Sequence, residues 1–339
     1  MTAAAGVRVG IGDDCAVLRP AAGREVLVTT DFCLETIHFH REWHSPESAG
    51  HRCLARGLSD LAAMGAKPAA AFLSLALPPE LMRTRQGRAS WRERFLAGLL
   101  ALADRHGVPL AGGDTARSPA ATGAGMAGAR GLALADIVLV GTAPRNRAIL
   151  RSTAQPGDRL YLTGWLGGAA AELAQVQMSP ARSRRLTAAD PGAPDGHPHL
   201  FPEPRLEVGA WLLRNRASTA AIDLSDGLST DLDHLCEESG LAAVLDRDAL
   251  PIHPLARKSG AVSGGDEEML ALALHGGEDY ELLFTASPRQ RIPARIGGIP
   301  VHCIGRMRRT SAGGPRMILE SRRAGRTETL AIQPRGWEH

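Results

Sequence analysis

The chain has 339 residues, 39 basic and 36 acidic side chains, a formal charge of +3 and a hydrophobic share of 44%. Only Lys67 and Lys258 are lysines, and neither stands in a Gly-x-x-x-x-Gly-Lys-Ser/Thr loop or in a kinase-type strand. A P-loop and a protein-kinase fold are therefore excluded, and any phosphate chemistry must neutralise charge by other means.

Aromatic residues make up 4%, and the arginines are interleaved with acids, so neither stacking platforms nor a nucleic-acid patch is expected. Cys15, Cys33, Cys53, Cys236 and Cys303 show no CxxC spacing and read as free thiols of a reducing compartment. No segment reaches the roughly 18 uncharged apolar residues of a membrane span. The expectation is a soluble, cytoplasmic protein of about two domains, from roughly 150 residues per domain.

In chain order, residues 25–31 read as a strand ending in a carboxylate. A helix follows from Ser45, which N-caps with Pro46 in the first turn, and ends at Gly65 and Pro68. Residues 69–78 form a continuous apolar strand, 90–106 a helix closed by Gly107, and ADIVLVGTA a further strand. RLYLTG is a strand running into GWLGGAAAEL, and 178–204 reads as a loop or insertion. AAIDLSDG is a strand and turn, followed by a helix with Leu228, Leu232 and Leu235, capped by Gly240. Residues 253–268 read as a loop, with EDYELLFT and VHCIGRM as late strands. This irregular alternation predicts an α/β (α+β) chain of two domains.

Aspartates recur where strands or helices meet small residues: Asp13 and Asp14 in GIGDD, Asp31 in VTTD, Asp60 in LSD, Asp114 in GGDT, Asp223 and Asp226 in IDLSDG. Any single one is explained by turn chemistry. Together they suggest carboxylates around Mg²⁺, because clustered carboxylates repel unless cations lie between them, and hard oxygen donors select that ion. GGDT adds a flexible backbone that lets amides approach phosphate. TGWLGG serves equally well as an anion cradle at a helix start or as close helix–sheet packing. His38 follows the Asp31 strand, while His40, His44, His197 and His199 have no zinc spacing. Glu278 and Asp279 precede an apolar strand, and Glu278 could attract a cation; Trp337 fits packing or an aromatic lid.

Taken in order, GIGDDCAVL, LVTTDFCLETIHF, GLSDLAAMGAKP, GGDTARSP, PGDRLYLTGWLGGAAAEL, PEPRLEVG, AIDLSDGLSTDLDHL and HGGEDYELLFT resemble thiamine-monophosphate kinase, of the aminoimidazole ribonucleotide synthetase-like superfamily. They cover most of residues 7–285. The resemblance implies a two-domain α/β fold, with residues 1–148 as an N-terminal ATP/Mg-binding domain that dimerises through a shared barrel and 149–339 as a C-terminal α/β domain. It implies Mg²⁺ at Asp14, Thr29, Thr30, Asp31, Asp60, Asp114, Asp223 and Asp226, with Asp31, Asp114 and Asp223 catalytic. Gly113, Asp114, Arg151 and Ser225 match ATP contacts, and His38, Glu278 and Trp337 match thiamine-facing positions. The implied reaction is phosphorylation of thiamine monophosphate by ATP, in a homodimer without nucleic-acid or membrane partners. A related ATP-dependent synthetase and a silent nucleotide-binding protein are the alternatives. Gly57 stands where the family commonly has asparagine, and 119–137 is longer and richer in Gly and Ala.

Overall fold

The computed structural model describes residues 6–11, 15–84, 87–118, 131–190, 196–263, 265–323 and 326–336. The chain divides into two compact units: one holds residues 1–58, 67–145 and 175–191, the other 59–66, 146–174 and 192–339.

The first unit opens with a short antiparallel hairpin, β1 (Val7–Val9) and β2 (Val17–Leu18). A four-stranded sheet follows, built from β3 (Arg24–Leu34), β4 (Lys67–Leu77), β5 (Leu110–Arg117) and β6 (Leu134–Pro144) in the order β3-β6-β4-β5. Helix α1 (Pro46–Ala63) starts as the sequence predicts, with the Ser48 N–H donating to Ser45 Oγ at 3.1 Å, and Gly65 turns the chain away at φ 67°. After the one-turn α2 (Pro79–Met82), α3 (Trp91–His106) carries a full capping box between Ser90 and Glu93 and a left-handed Gly107. Its Phe95, Leu99 and Leu102 are wholly buried. Strand β4 reads as one apolar run because helices cover one of its faces and the hairpin part of the other, where Val7 and Leu18 pack against Ala70 and Val140. Among the described residues this sheet does not close into a barrel.

The second unit contains β7 (Arg159–Thr163), α4 (Gly168–Met178, of which only the first residues belong here), then the short α5 (Pro180–Ser183), which lies in the first unit. It continues with α6 (Leu206–Asn215), β8 (Ala220–Asp223), α7 (Leu228–Ser239), β9 (Leu241–Asp246), α8 (Pro254–Ser263), α9 (Gly265–His275) and β10 (Leu282–Ala286). The chain ends in β11 (Arg295–Ile296), β12 (Ile299–Arg309), β13 (Met317–Arg323) and β14 (Arg326–Ile332). Seven of these strands run β14-β13-β9-β12-β7-β10-β8, with β11 paired to β12. All neighbours are antiparallel except β13 and β9. Leu162, Ile222, Leu232, Leu235 and Leu283 anchor the core between this sheet and its helices.

Three sequence expectations are corrected. Residues 253–268 are mostly helical: the ring Nδ1 of His253 accepts the Leu255 N–H at 3.0 Å and caps α8, while Asp266, Glu267 and Glu268 favour the first turn of α9. Within 178–204, α5 forms, and the segment around His199 is tied down by buried hydrogen bonds. The strand expected from Glu278 begins only at Leu282, because Glu278 and Tyr280 hold left-handed backbone at φ 66° and 49°. The stretch 119–130 lies outside the described residues.

Candidate active site

In the first unit, β3 alternates strictly: Leu27 and Cys33 are buried, whereas Val26, Val28 and Phe32 are 50%, 64% and 62% exposed. Thr29 and Asp31 share the face toward α1, and Arg56 of α1 lies 3.9 Å from the Asp31 carboxylate. Gly57 explains how the helix comes so near: an added Cβ would sit 2.7 Å from Leu139 and 3.3 Å from Asp31 Oδ2. Thr30 points to the opposite face and donates to Asp136 at 2.8 Å. His38 is buried, and its Nδ1 accepts the Leu34 N–H at 2.9 Å, so the ring proton sits on Nε2.

Asp114 is exposed and accepts its neighbour Thr115's N–H at 2.7 Å. The register aligns it with Ser74, Asp136 and Phe32, on the face opposite Asp31. Three strand spacings of ~4.8 Å separate the β3 and β5 positions, so within this unit the two aspartates do not meet. Gly113, at φ 147°, lies so close to β4 that a Cβ would collide with the Leu73 carbonyl.

In the second unit, β8 delivers Asp223 to a buried position, where it accepts the Ser59 hydroxyl at 2.7 Å; Asp60 follows on the same helix and is half-buried. The turn after β8 is laced to the GGEDYEL segment. Glu278 N–H donates to the Ser225 carbonyl at 2.7 Å, Tyr280 N–H to Leu224 and Leu224 N–H to Glu281, each at 2.8 Å. Two motifs some fifty residues apart thus form one scaffold carrying Asp223, Ser225, Asp226 and Glu278. Asp231, which the motif reading passed over, accepts the N–H groups of Asp226 and Gly227 at 3.1 and 3.0 Å. Burial, then the carboxylates of Asp223 and Asp226, push the Asp231 carboxyl well above the usual range. Its place in the first helical turn, where acids are favoured, was the available signal. Arg151 is exposed, and its carbonyl accepts the Ser239 hydroxyl at 2.7 Å.

Glu278 also borders a cavity of about 310 Å³ between α4 and α9, with Ala169, Leu173, His199, Glu268 and His275 among its walls. The anion cradle at TGWLGG is filled by the chain itself: the Asp279 carboxylate accepts Gly167 N–H at 2.7 Å and Ala169 N–H at 3.1 Å. Burial nevertheless pushes Asp279 up to about 7. Beside it, Arg205 forks onto Glu281 at 2.7 and 2.5 Å, and Thr163 donates to the same carboxylate at 2.5 Å. Beyond the last strand, Gly336 N–H donates to Thr230 Oγ1 at 2.9 Å, holding the tail at the start of α7. Asp14 and Trp337 lie outside the described residues.

The AIR synthase related protein, N-terminal domain, matches residues 12–129. The thiamine-monophosphate kinase of Salmonella typhimurium (strain LT2) is 40% identical over 311 residues, 89% of this chain and 84% of the relative. The chain belongs to the thiamine-monophosphate kinase family. The crystal structure of thiamine-monophosphate kinase from Stenotrophomonas maltophilia K279a superposes with a TM-score of 0.74 at 34% identity, covering 93% of this chain and 91% of that one. A second family structure, AaThiL complexed with AMPPCP and TMP, gives a TM-score of 0.73 at 26% identity, covering 95% and 89%. The family's mixed α/β architecture is therefore that of this chain.

No group of three His, Cys, Asp or Glu side chains among the described residues is already arranged as a metal cage. The donor chemistry around β8 still suits a hard cation. The donors are carboxylate and hydroxyl oxygens, and three carboxylates lie close enough for two of them to raise the pKa of the third. Mg²⁺ takes one or two carboxylates and fills its remaining positions with water and substrate phosphate, so a ready-made cage is not needed.

Proposed function

We propose that the chain transfers the γ-phosphoryl group of ATP to thiamine monophosphate, giving thiamine diphosphate and ADP. The observation that carries this reading is the scaffold linking the Asp223–Asp226 turn to the Glu278 turn through main-chain hydrogen bonds. It ties carboxylates suited to a cation to a carboxylate suited to a positive ring. Family membership supplies the reaction.

In this proposal Asp14, Thr29, Thr30, Asp31, Asp60, Asp114, Asp223 and Asp226 hold several Mg²⁺ ions, so that Thr30 and Asp114, on the sheet face opposite Thr29 and Asp31, need not share one with them. Asp31, Asp114 and Asp223 carry most of the effect on turnover. When bound, the metal offsets the charge of the phosphate oxygens on donor and acceptor. Gly113, Asp114, Arg151 and Ser225 contact the nucleotide. His38, Glu278 and Trp337 face the thiamine substrate, whose cationic thiazolium ring is attracted by Glu278. The acceptor is an ionised phosphate, so no strong general base is required, and the side chains act by positioning two anions in line.

The proposal assigns residues 1–148 to ATP and metal binding and to dimerisation, and 149–339 to the C-terminal domain, in a cytoplasmic enzyme. Val26, Val28 and Phe32 on edge strand β3 form an apolar exposed row, which supports a second copy completing a barrel there. Incubation with ATP, Mg²⁺ and thiamine monophosphate should yield thiamine diphosphate. No product over a wide range of metal concentrations would sink the kinase reading. Sedimentation should give a dimer that Phe32→Glu dissociates.

A further inference from the structure

His199 belongs to no motif of the kinase pattern and has no zinc spacing, yet it is among the most constrained histidines of the second unit. The buried Glu172 of α4 accepts the His197 ring Nδ1 at 2.6 Å, the His199 N–H at 2.8 Å and the Leu200 N–H at 3.1 Å. Three bonds to one carboxylate fix the turn through residues 197–200 and thereby the direction of the His199 side chain. That ring is 3% exposed, and its Nδ1 lies 3.2 Å from Glu278 Oε2, while the Glu278 side chain remains 19% exposed. Both residues line the 310 Å³ cavity. The Glu278 main chain is held at φ 66° by its bond to Ser225, so its side chain is the part left to be oriented.

We infer that His199 is a positioning residue, one that aims the Glu278 carboxylate into the cavity and so sets selectivity for a cationic substrate ring. This rests on the proposed thiamine-facing role of Glu278. An Nδ1–H held 3.2 Å from one carboxylate oxygen orients the carboxylate toward the cavity, and Glu172 sits behind as the anchor of the turn.

The test is steady-state kinetics of the full chain with ATP and thiamine monophosphate. His199→Phe keeps the ring's bulk and removes the donor. It is expected to raise KM for thiamine monophosphate about tenfold, the cost of one hydrogen bond to a charged group, with KM for ATP unchanged. His199→Asn places an amide N–H where Nδ1 stood and is expected to restore KM. Combining His199→Phe with Glu278→Gln should add little to Glu278→Gln alone, because both act through one carboxylate. Equal impairment by Phe and Asn, parallel rises in both KM values, or an unchanged KM in His199→Phe would overturn the inference. If Glu278→Gln raises KM and His199→Phe does not, only the role of His199 falls. If Glu278→Gln leaves KM unchanged, the substrate role of Glu278 falls first and this inference with it. Should His199→Phe fail to fold, Glu172→Gln reports on the same chain of contacts: a selective rise in KM for thiamine monophosphate supports it, and an unchanged KM overturns it.

Discussion

Asp31 and Asp223 share a written pattern, a strand run followed by a carboxylate, but β3 continues past Asp31 to Leu34 whereas β8 ends at Asp223, and the two regions handle the charge differently. On β3, Asp31 keeps 20% exposure and has the Arg56 guanidinium 3.9 Å away. On β8, Asp223 is 3% exposed, accepts a serine hydroxyl and adds to the repulsion that raises Asp231. The chain supplies its own cation in one region and concentrates negative charge in the other. The same strand-then-aspartate pattern therefore yields not one device but two. The second is the one that gains most from an external cation, because buried like charges stay costly until something positive lies between them.

The sharpest way to break this comparison is to neutralise each aspartate in turn. Asp31→Asn and Asp223→Asn should each lower kcat at least about a hundredfold, the usual cost of removing one electrostatic contact to the reacting groups. Their stabilities should diverge. Asp223→Asn relieves repulsion and should match or exceed the wild-type Tm without ligands, whereas Asp31→Asn weakens the Arg56 pairing and should fall below it. The opposite order in thermal melts would overturn the contrast.

Next in size is the metal itself. Excess Mg²⁺ without nucleotide should raise Tm by a few degrees in the wild type and much less in Asp223→Asn. Equal shifts in both proteins would remove the β8 carboxylates from metal binding.

A smaller effect concerns Asp279, whose carboxyl is raised to about 7 in the fold. Between its unfolded value, about 4, and 7 the native state holds a proton that the unfolded chain has released, so stability falls as pH rises through that window. Below the window both states are protonated and the stabilising difference is fully present. Asp279→Asn, which keeps a carbonyl oxygen for the α4 N–H groups, should show a flatter Tm profile from about pH 5 to about pH 8. Parallel profiles would show that Asp279 does not titrate there.

The smallest effect is a labelling pattern. Cys15 and Cys303 are exposed and should react with a thiol reagent in the native protein. Cys33, Cys53 and Cys236 are buried, with burial pushing Cys236 up to about 12, and should react only after unfolding. Fast native labelling of Cys33 or Cys53 would mean that the packing of α1 on β3 opens readily.

Features written in short spans were legible beforehand. Ser45 before Pro46, and Gly107 and Gly240 at helix ends, each depend on bonds within about four residues, so local chemistry sufficed. The ordered aspartate motifs were equally visible, because residue order alone displays them, although Asp31, Asp60 and Asp114 lie inside β3, α1 and β5 and not at the junctions expected. What escaped was carried by partners far away in the chain. His253, whose N–H donates to the distant Leu166 carbonyl at 2.9 Å, starts a helix where a loop was expected at 253–268. The EDYELLFT segment read as a strand because its apolar end is one, while Glu278 and Tyr280 hold left-handed backbone and donate to Ser225 and Leu224.

The sequence by itself therefore determined the family, the boundaries of those helices whose caps are local, and the carboxylates to consider for a phosphate site, since these follow from residue order and nearest-neighbour bonding. Only the tertiary structure decided how those carboxylates are used. It gave Asp31 an arginine, set Asp114 on the opposite sheet face, and filled the TGWLGG helix start with Asp279. It also brought His199 to Glu278 from 79 positions away. Charge and hydrogen bonding act over a few ångströms of space, and the sequence records distance only along the chain.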